Sequence, residues 1–377
     1  MNRMALGAAL SLIFCLYPLF APRLLQDQVV LAPIPDNIVH DVFFFDGTRG
    51  WALAGTPMSP STDVLKTNDG GLTWRKVGTQ SRLYRLFFLD EHNGWALGIC
   101  GSAEHGTFPI CVMGTSDGGV TWARLSTNAI NPPSLIMDVV YDLDFIDGKH
   151  GWVVGQSSEG GGGMFLETAD GGLTFSPVKI GEGKFSLLTR IFSDSDGHLC
   201  VLGNHAIYSS RDRGKTWQLG VLSESEKAVN DDIPGRLTSG WMFPRGRWLA
   251  LGSDDTGEVL STADYGLHWT TVTDSLGDNL PGVNLLNDVS FYDESHGCAI
   301  LGSSHLFCTA DAGNTWSPRE IIRKPRVNVS FEFDQLNKIV LLPSGFGWVI
   351  SHFGFVYQTS DWGQTWVGKD LIASASK

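Results

Sequence analysis

Carboxylates at a regular spacing are the first feature of this chain that could do chemistry. Seven aspartates, Asp69, Asp117, Asp170, Asp212, Asp264, Asp311 and Asp361, recur 42 to 53 residues apart. Each stands in a degenerate Ser/Thr-x-Asp-x-Gly-x-Thr-Trp string, seen in Thr67–Trp74 (TNDGGLTW) and again from Thr115, Thr168, Ser210, Thr262, Thr309 and Thr359. Such a loop could hold a cation, but calcium takes about six to eight oxygens and each loop brings one carboxylate. The other reading is a turn. Ser/Thr and Asp oxygens bond nearby backbone N–H groups, Gly supplies a positive φ, and Trp anchors the strand that follows. We therefore read these aspartates as structural and expect neither metal nor cofactor. Asp142, Asp231, Asp232 and Asp288 could supply a glycosidase's carboxylate pair, which requires a set separation in space.

The elements around the strings are short strands. Val42–Phe45, Leu86–Leu89, Leu143–Ile146 and Val289–Tyr292 illustrate the first strand of each repeat. An Asp/Gly turn follows, then a second strand beginning Trp51, Trp95, Trp152, Cys200, Trp248, Cys298 or Trp348. A third strand enters the aspartate turn and a fourth leaves it. A period near 50 residues of all-β character, seven times over, predicts a single seven-bladed β-propeller with four-stranded antiparallel blades. Alternating strand direction puts the aspartate turns and the Asp/Gly turns on one face. The longer, more variable loops fall on the opposite face, where binding concentrates on such scaffolds.

Aligning the repeats places one residue before each first strand: Asp41, Arg85, Asp142, Arg190, Thr238, Asp288 and Lys338. Six of these are charged, and the signs mostly alternate around the ring. Because the first strand of a blade is innermost, they should form a collar at the channel mouth, with Arg82 and Arg236 on adjoining connections. The collar either locks blade to blade by ion pairs or grips a charged peptide or ligand.

The strings resemble Asp-box (bacterial neuraminidase) repeats, found in sialidases, xyloglucanases and sortilin-type receptors. The longer string Phe145–Gly155 (FIDGKHGWVVG) followed by Leu166–Phe175 (LETADGGLTF) is most similar to the photosystem II stability/assembly factor family. The resemblance spans nearly the whole chain after the leader. It implies a non-catalytic scaffold that holds a protein or peptide client during complex assembly, with a membrane protein as one candidate and a basic patch on the binding face. Here the balance is acidic, with Arg82, Arg85, Arg190 and Arg236 scattered. A sialidase of this repeat class would carry an Arg-Ile-Pro type motif before the first Asp box, and Ile38 and Phe43 have no such neighbour. A glycoside hydrolase and a glycan-binding lectin, stacking sugars on Trp241, Trp248 or Trp362, remain the alternatives.

The 377 residues suit one large β domain, and the net charge of −13 disfavours nucleic acid, whose phosphates require a basic face. Arg3 and the apolar run Met4–Ala21 read as a secretory signal or an N-terminal anchor over residues 1–22, before a linker (23–35), the propeller (36–372) and a tail (373–377). Phe14 does not suit the position before a lipid-modified Cys15. An extracytoplasmic, periplasmic or secreted, location follows, and oxidation there fits the cysteines. Cys100 and Cys111 bracket a loop between two strands, and Cys298 and Cys308 bracket the corresponding shorter hairpin. We expect both pairs as disulfides, against buried free thiols, and Cys200 as a small packed hydrophobe.

Overall fold

The computed structural model describes residues 38–55, 61–99, 110–125, 139–156, 162–178, 187–222, 236–252, 258–273, 286–302, 305–319, 321, 336–351 and 355–369. They form seven antiparallel sheets, each built from strands consecutive in sequence. Blade 1 comprises Ile38–Phe44, Gly50–Gly55, Ser61–Thr67 and Arg75–Ser81. The first strands of blades 2 to 7 are Leu83–Phe88, Val139–Phe145, Leu188–Ser193, Leu237–Met242, Leu286–Phe291 and Leu336–Leu341. Each first strand packs against the next, and that of blade 7 returns to that of blade 1. The ring is a closed seven-bladed propeller. One addition departs from four strands per blade. Val221–Leu222, from the connection after blade 4, pairs parallel with His268–Thr273 and gives blade 5 a fifth strand.

The core lies at the seams. Seven clusters of buried residues each join two adjacent blades, so a blade is not a stable unit alone. The Gly-Trp pair that opens the second strand in four blades explains part of this packing. Trp51 stacks on Phe88 of the next blade at 3.8 Å, Trp95 on Phe145 at 3.9 Å, and Trp348 on Phe44 at 4.5 Å across the closing seam. A Cβ at Gly94 would stand 2.5 Å from the Phe88 ring, so glycine makes room for the ring on which the previous blade's Trp lies.

The Asp boxes are closed turns. Asp69 accepts the Thr67 hydroxyl at 2.7 Å, the Thr73 N–H at 2.9 Å and the Thr73 hydroxyl at 2.5 Å. The Thr67 hydroxyl in turn accepts the Gly71 N–H at 2.8 Å. The same pattern recurs at Asp117, Asp170, Asp212, Asp264, Asp311 and Asp361, with His268 standing in for Thr at Asp264. Both oxygens of each box carboxylate accept bonds from within the turn itself. In six blades a backbone bond ties the box to the first turn of its own blade, as in Gly70 N–H to Thr48 O at 2.8 Å. Both turns therefore share one face.

Cys298 and Cys308, directly opposed in blade 6, form a disulfide. Cys111 is buried and disulfide-bonded, and its expected partner Cys100 lies outside the described residues. Cys200 is a buried free thiol. The leader, linker and tail, residues 1–22, 23–35 and 373–377, also lie outside the described residues, as do Asp231 and Asp232. Among the described residues no helix is long and apolar enough to cross a membrane.

Candidate functional site

A β-bulge in every first strand builds the channel. The pairing of first with second strand skips one residue in each blade: His40, Tyr84, Tyr141, Thr189, Thr238, Asn287 and Asn337. A bulge inserts an extra residue and breaks the strict alternation of faces. Two consecutive residues per blade can thus reach the channel. The first strands also begin earlier than the apolar pattern suggests, so the charged collar lies within them and not before them. In blade 5 the collar member is Ser239, while Thr238, assigned from sequence alignment, is the bulged residue.

The collar binds blade to blade. Asp41 accepts the Leu86 N–H of blade 2 at 2.8 Å and pairs with Lys338 of blade 7. Arg85 donates to Asp142 of blade 3 at 2.8 Å, and Asp142 accepts the Ile191 N–H of blade 4 at 3.2 Å. Arg190 donates from Nε to the Thr238 carbonyl of blade 5 at 3.0 Å. Ser239 donates to Asp288 at 2.7 Å, and Asp288 accepts the Ile339 N–H of blade 7 at 3.0 Å. Three carboxylates meet three cations, so the ring is neutral. Burial alone would raise the Asp41 pKa, but Lys338 and Arg85 outweigh it and hold the carboxyl below its ordinary value. Burial also opposes the Arg85 charge, yet Asp142 and Asp41 raise its pKa further. Burial, with Arg85 adding, lowers the pKa of Arg190.

The collar separates two compartments. On the side away from the Asp boxes, a polar mouth of about 350 Å³ is lined by bulge residues His40, Tyr84, Tyr141, Thr189, Asn287 and Asn337, and by Arg236. Several of these also bridge blades: the Thr189 hydroxyl donates to the Leu237 carbonyl at 2.5 Å and the Asn287 amide to the Leu336 carbonyl at 2.7 Å. Arg236 lies over the Tyr141 ring at 5.7 Å. Arg82 immediately precedes the first strand of blade 2, on this side, and partial desolvation together with its charge lowers the His40 pKa against the pull of Asp41. On the Asp-box side, an apolar cup of about 770 Å³ is walled by Phe43, Phe192, Trp241, Phe243 and Phe291. The residues two after the collar, Phe43, Phe87, Asp144, Phe192, Trp241, Ser290 and Val340, form the tier below it. Asp144 is the exception among them. Burial pushes its pKa up to about 8, although Ser193 donates to it at 2.9 Å.

A family model described as photosynthesis system II assembly factor YCF48 matches residues 133–225 and 267–373, more than half of the chain. The chain belongs to this family. Two solved structures of family members share the fold. YCF48 from Cyanidioschyzon merolae is 16% identical over 88% of this chain and 97% of its own, with a TM-score of 0.56. A YCF48 bound to a D1 peptide is 19% identical over 78% of this chain and 83% of its own, with a TM-score of 0.53. An ancestral GH74 enzyme is 12% identical over 90% of this chain but 47% of its own, with a TM-score of 0.58, a likeness of fold alone. No curated protein matches the chain.

Of the residues expected to bind, this YCF48-family chain brings Asp41, Arg85, Asp142, Arg190, Asp288 and Lys338 into one ring, where they bind one another. Arg82 and Arg236 stand outside it, at the mouth. Trp248 is buried in the core and cannot stack a sugar, whereas Trp241 faces the cup and Trp362 is exposed on the Asp-box face. Sequence reading missed the bulge residues and the cup. Part of the signal for the first was available: the residue before the aligned collar position is polar or aromatic in six repeats, the exception being Leu237 before Thr238.

Proposed function

We propose that the chain is an exported, non-catalytic scaffold that holds a protein or peptide segment at the channel mouth opposite the Asp boxes. The observation that carries this reading is the mouth itself. Arg236, His40, Tyr141 and Asn337 line an open rim, with Arg82 at the start of the neighbouring strand, above a collar whose three carboxylates are already engaged. A basic and aromatic rim on a rigid ring suits an extended segment carrying acidic side chains. Membership of an assembly-factor family supports a protein client, and a relative holding a D1 peptide supports a peptide-sized one. The leader and the Cys298–Cys308 disulfide support export to an oxidising compartment. Asp142 and Asp288, the two of the four candidate glycosidase carboxylates that lie among the described residues, are engaged in the collar, which supports a non-catalytic reading.

The test is a titration of the full chain with a D1 peptide and with acidic and basic model peptides of equal length. Acidic segments should bind, weakening as salt rises, and Arg82→Glu with Arg236→Glu should lower affinity at least tenfold without moving the melting temperature. Equal binding by the double variant, or equal binding of the basic peptide, would sink the assignment to this face. Release of reducing sugar from xyloglucan would sink the non-catalytic reading.

A further inference from the structure

The cup on the Asp-box side is a different environment from the mouth. Its walls are aromatic and aliphatic, and its floor is the underside of the collar, including Arg85, Arg190, Asp288 and Lys338. The three floor cations are not equivalent. Arg85 is hydrogen-bonded to Asp142 and Lys338 to Asp41. Arg190 stands 4.0 Å from Asp288, beyond hydrogen-bond range, and Asp288 already accepts Ser239 and the Ile339 N–H. The bond from Nε to the Thr238 carbonyl leaves the Nη groups of Arg190 as the least matched charge in the ring. Of the three rim carboxylates, Glu294 interacts with Arg247, and the other two are engaged in their own turns. Asp46 is taken by the Thr48 and Arg49 N–H groups and by the Arg49 guanidinium, and Asp293 by the Ser295 and His296 N–H groups.

We propose that this cup binds a small amphiphile, its apolar body against Phe43, Phe192, Trp241, Phe243 and Phe291 and its single carboxylate on the Nη groups of Arg190. A guanidinium presents parallel donors that match a carboxylate, and a charge pair at the base of an apolar pocket is weakly screened. The volume falls within the roughly 300–1,000 Å³ range of small-molecule sites. Burial and the neighbouring Arg85 work against the Arg190 charge while Asp142, Asp288 and Asp41 support it, and an incoming carboxylate adds to that support. This site lies across the collar from the mouth and does not depend on the function proposed there.

Calorimetric titration of the full chain with decanoate, and with decanol as its uncharged counterpart, tests the proposal. Decanoate should saturate at one per chain and bind at least tenfold more tightly than decanol. Arg190→Met should bring decanoate to the level of decanol and leave decanol unchanged. Val340→Trp, which fills the cup, should abolish both, whereas Arg236→Glu at the mouth should alter neither. No saturable decanoate binding, equal affinity for the two ligands, or an unchanged ratio in Arg190→Met would overturn the proposal. If Arg190→Met does not fold, the ratio on the unsubstituted chain and full binding by Val340→Trp decide the matter alone.

Discussion

The Asp boxes and the collar both place a charged or polar side chain once per blade, yet they work in opposite ways. An Asp-box carboxylate finds its partners within four residues of itself, as Asp69 does with Thr67 and Thr73. A collar residue finds its partners one blade away, as Asp142 does with Arg85 and Ile191. A turn that satisfies itself can be copied unchanged around the ring. A collar position must complement its neighbour, so its residue type has to change from blade to blade. Repetition in the sequence therefore marks local closure, and its failure at one register marks the place where the ring is held shut.

The largest effect should come from breaking the collar. Asp142→Ala strands the Arg85 guanidinium and the Ile191 N–H in a buried site, and losing one partner of a buried pair costs about 3–5 kcal/mol. Urea unfolding reads this, and a loss below about 1 kcal/mol would mean that the ring pairs do not hold the blades. Asp144 sharpens the comparison through pH. Its folded pKa is raised from 3.8 to about 8. Within that window the unfolded chain has released the proton and the folded chain keeps it, so the residue destabilises the fold progressively as pH rises. Asp144→Asn should gain on the native chain from pH 4 to pH 8 and level off outside those limits. A pH-independent difference in unfolding free energy would show that Asp144 is ionised when folded.

Asp69→Ala should do less than Asp142→Ala, about 1–2 kcal/mol, because its orphaned partners can reach water. Equal losses at the two positions would erase the distinction between a closed turn and a shared seam. The smallest change concerns the backbone of the box. Ala312 holds φ at 63°, where the first box has glycine, Gly70. Ala312→Gly should stabilise by up to about 1 kcal/mol, the relief of the left-handed cost set against the added freedom of the unfolded chain. Thermal melting would detect it, and a destabilisation would mean that the Ala312 methyl group carries packing at the seam.

Much of the ring could be read directly. The box strings count the blades, Gly-Trp pairs open four of the second strands, and the charged column before the apolar runs is the collar. Each of these signals depends on contacts a few residues apart, or on a pattern that recurs at a fixed phase. The bulge could not be read the same way. Whether Thr238 or Ser239 faces Asp288 depends on which residue the second strand skips, and a shift of one residue exchanges the faces. The apolar runs alone therefore placed the strand starts too late and moved the collar out of the strands.

By itself, the sequence determined the number of blades, the chemistry of their turns and the face those turns share, because all three follow from short-range hydrogen bonding and strand alternation. Only the tertiary structure decided which charges meet, that the collar closes on itself, and that an apolar cup lies beneath it on the Asp-box side. The physical reason is distance along the chain. Asp41 and Lys338 are separated by nearly the whole propeller, and no local pattern records that the ring brings them together.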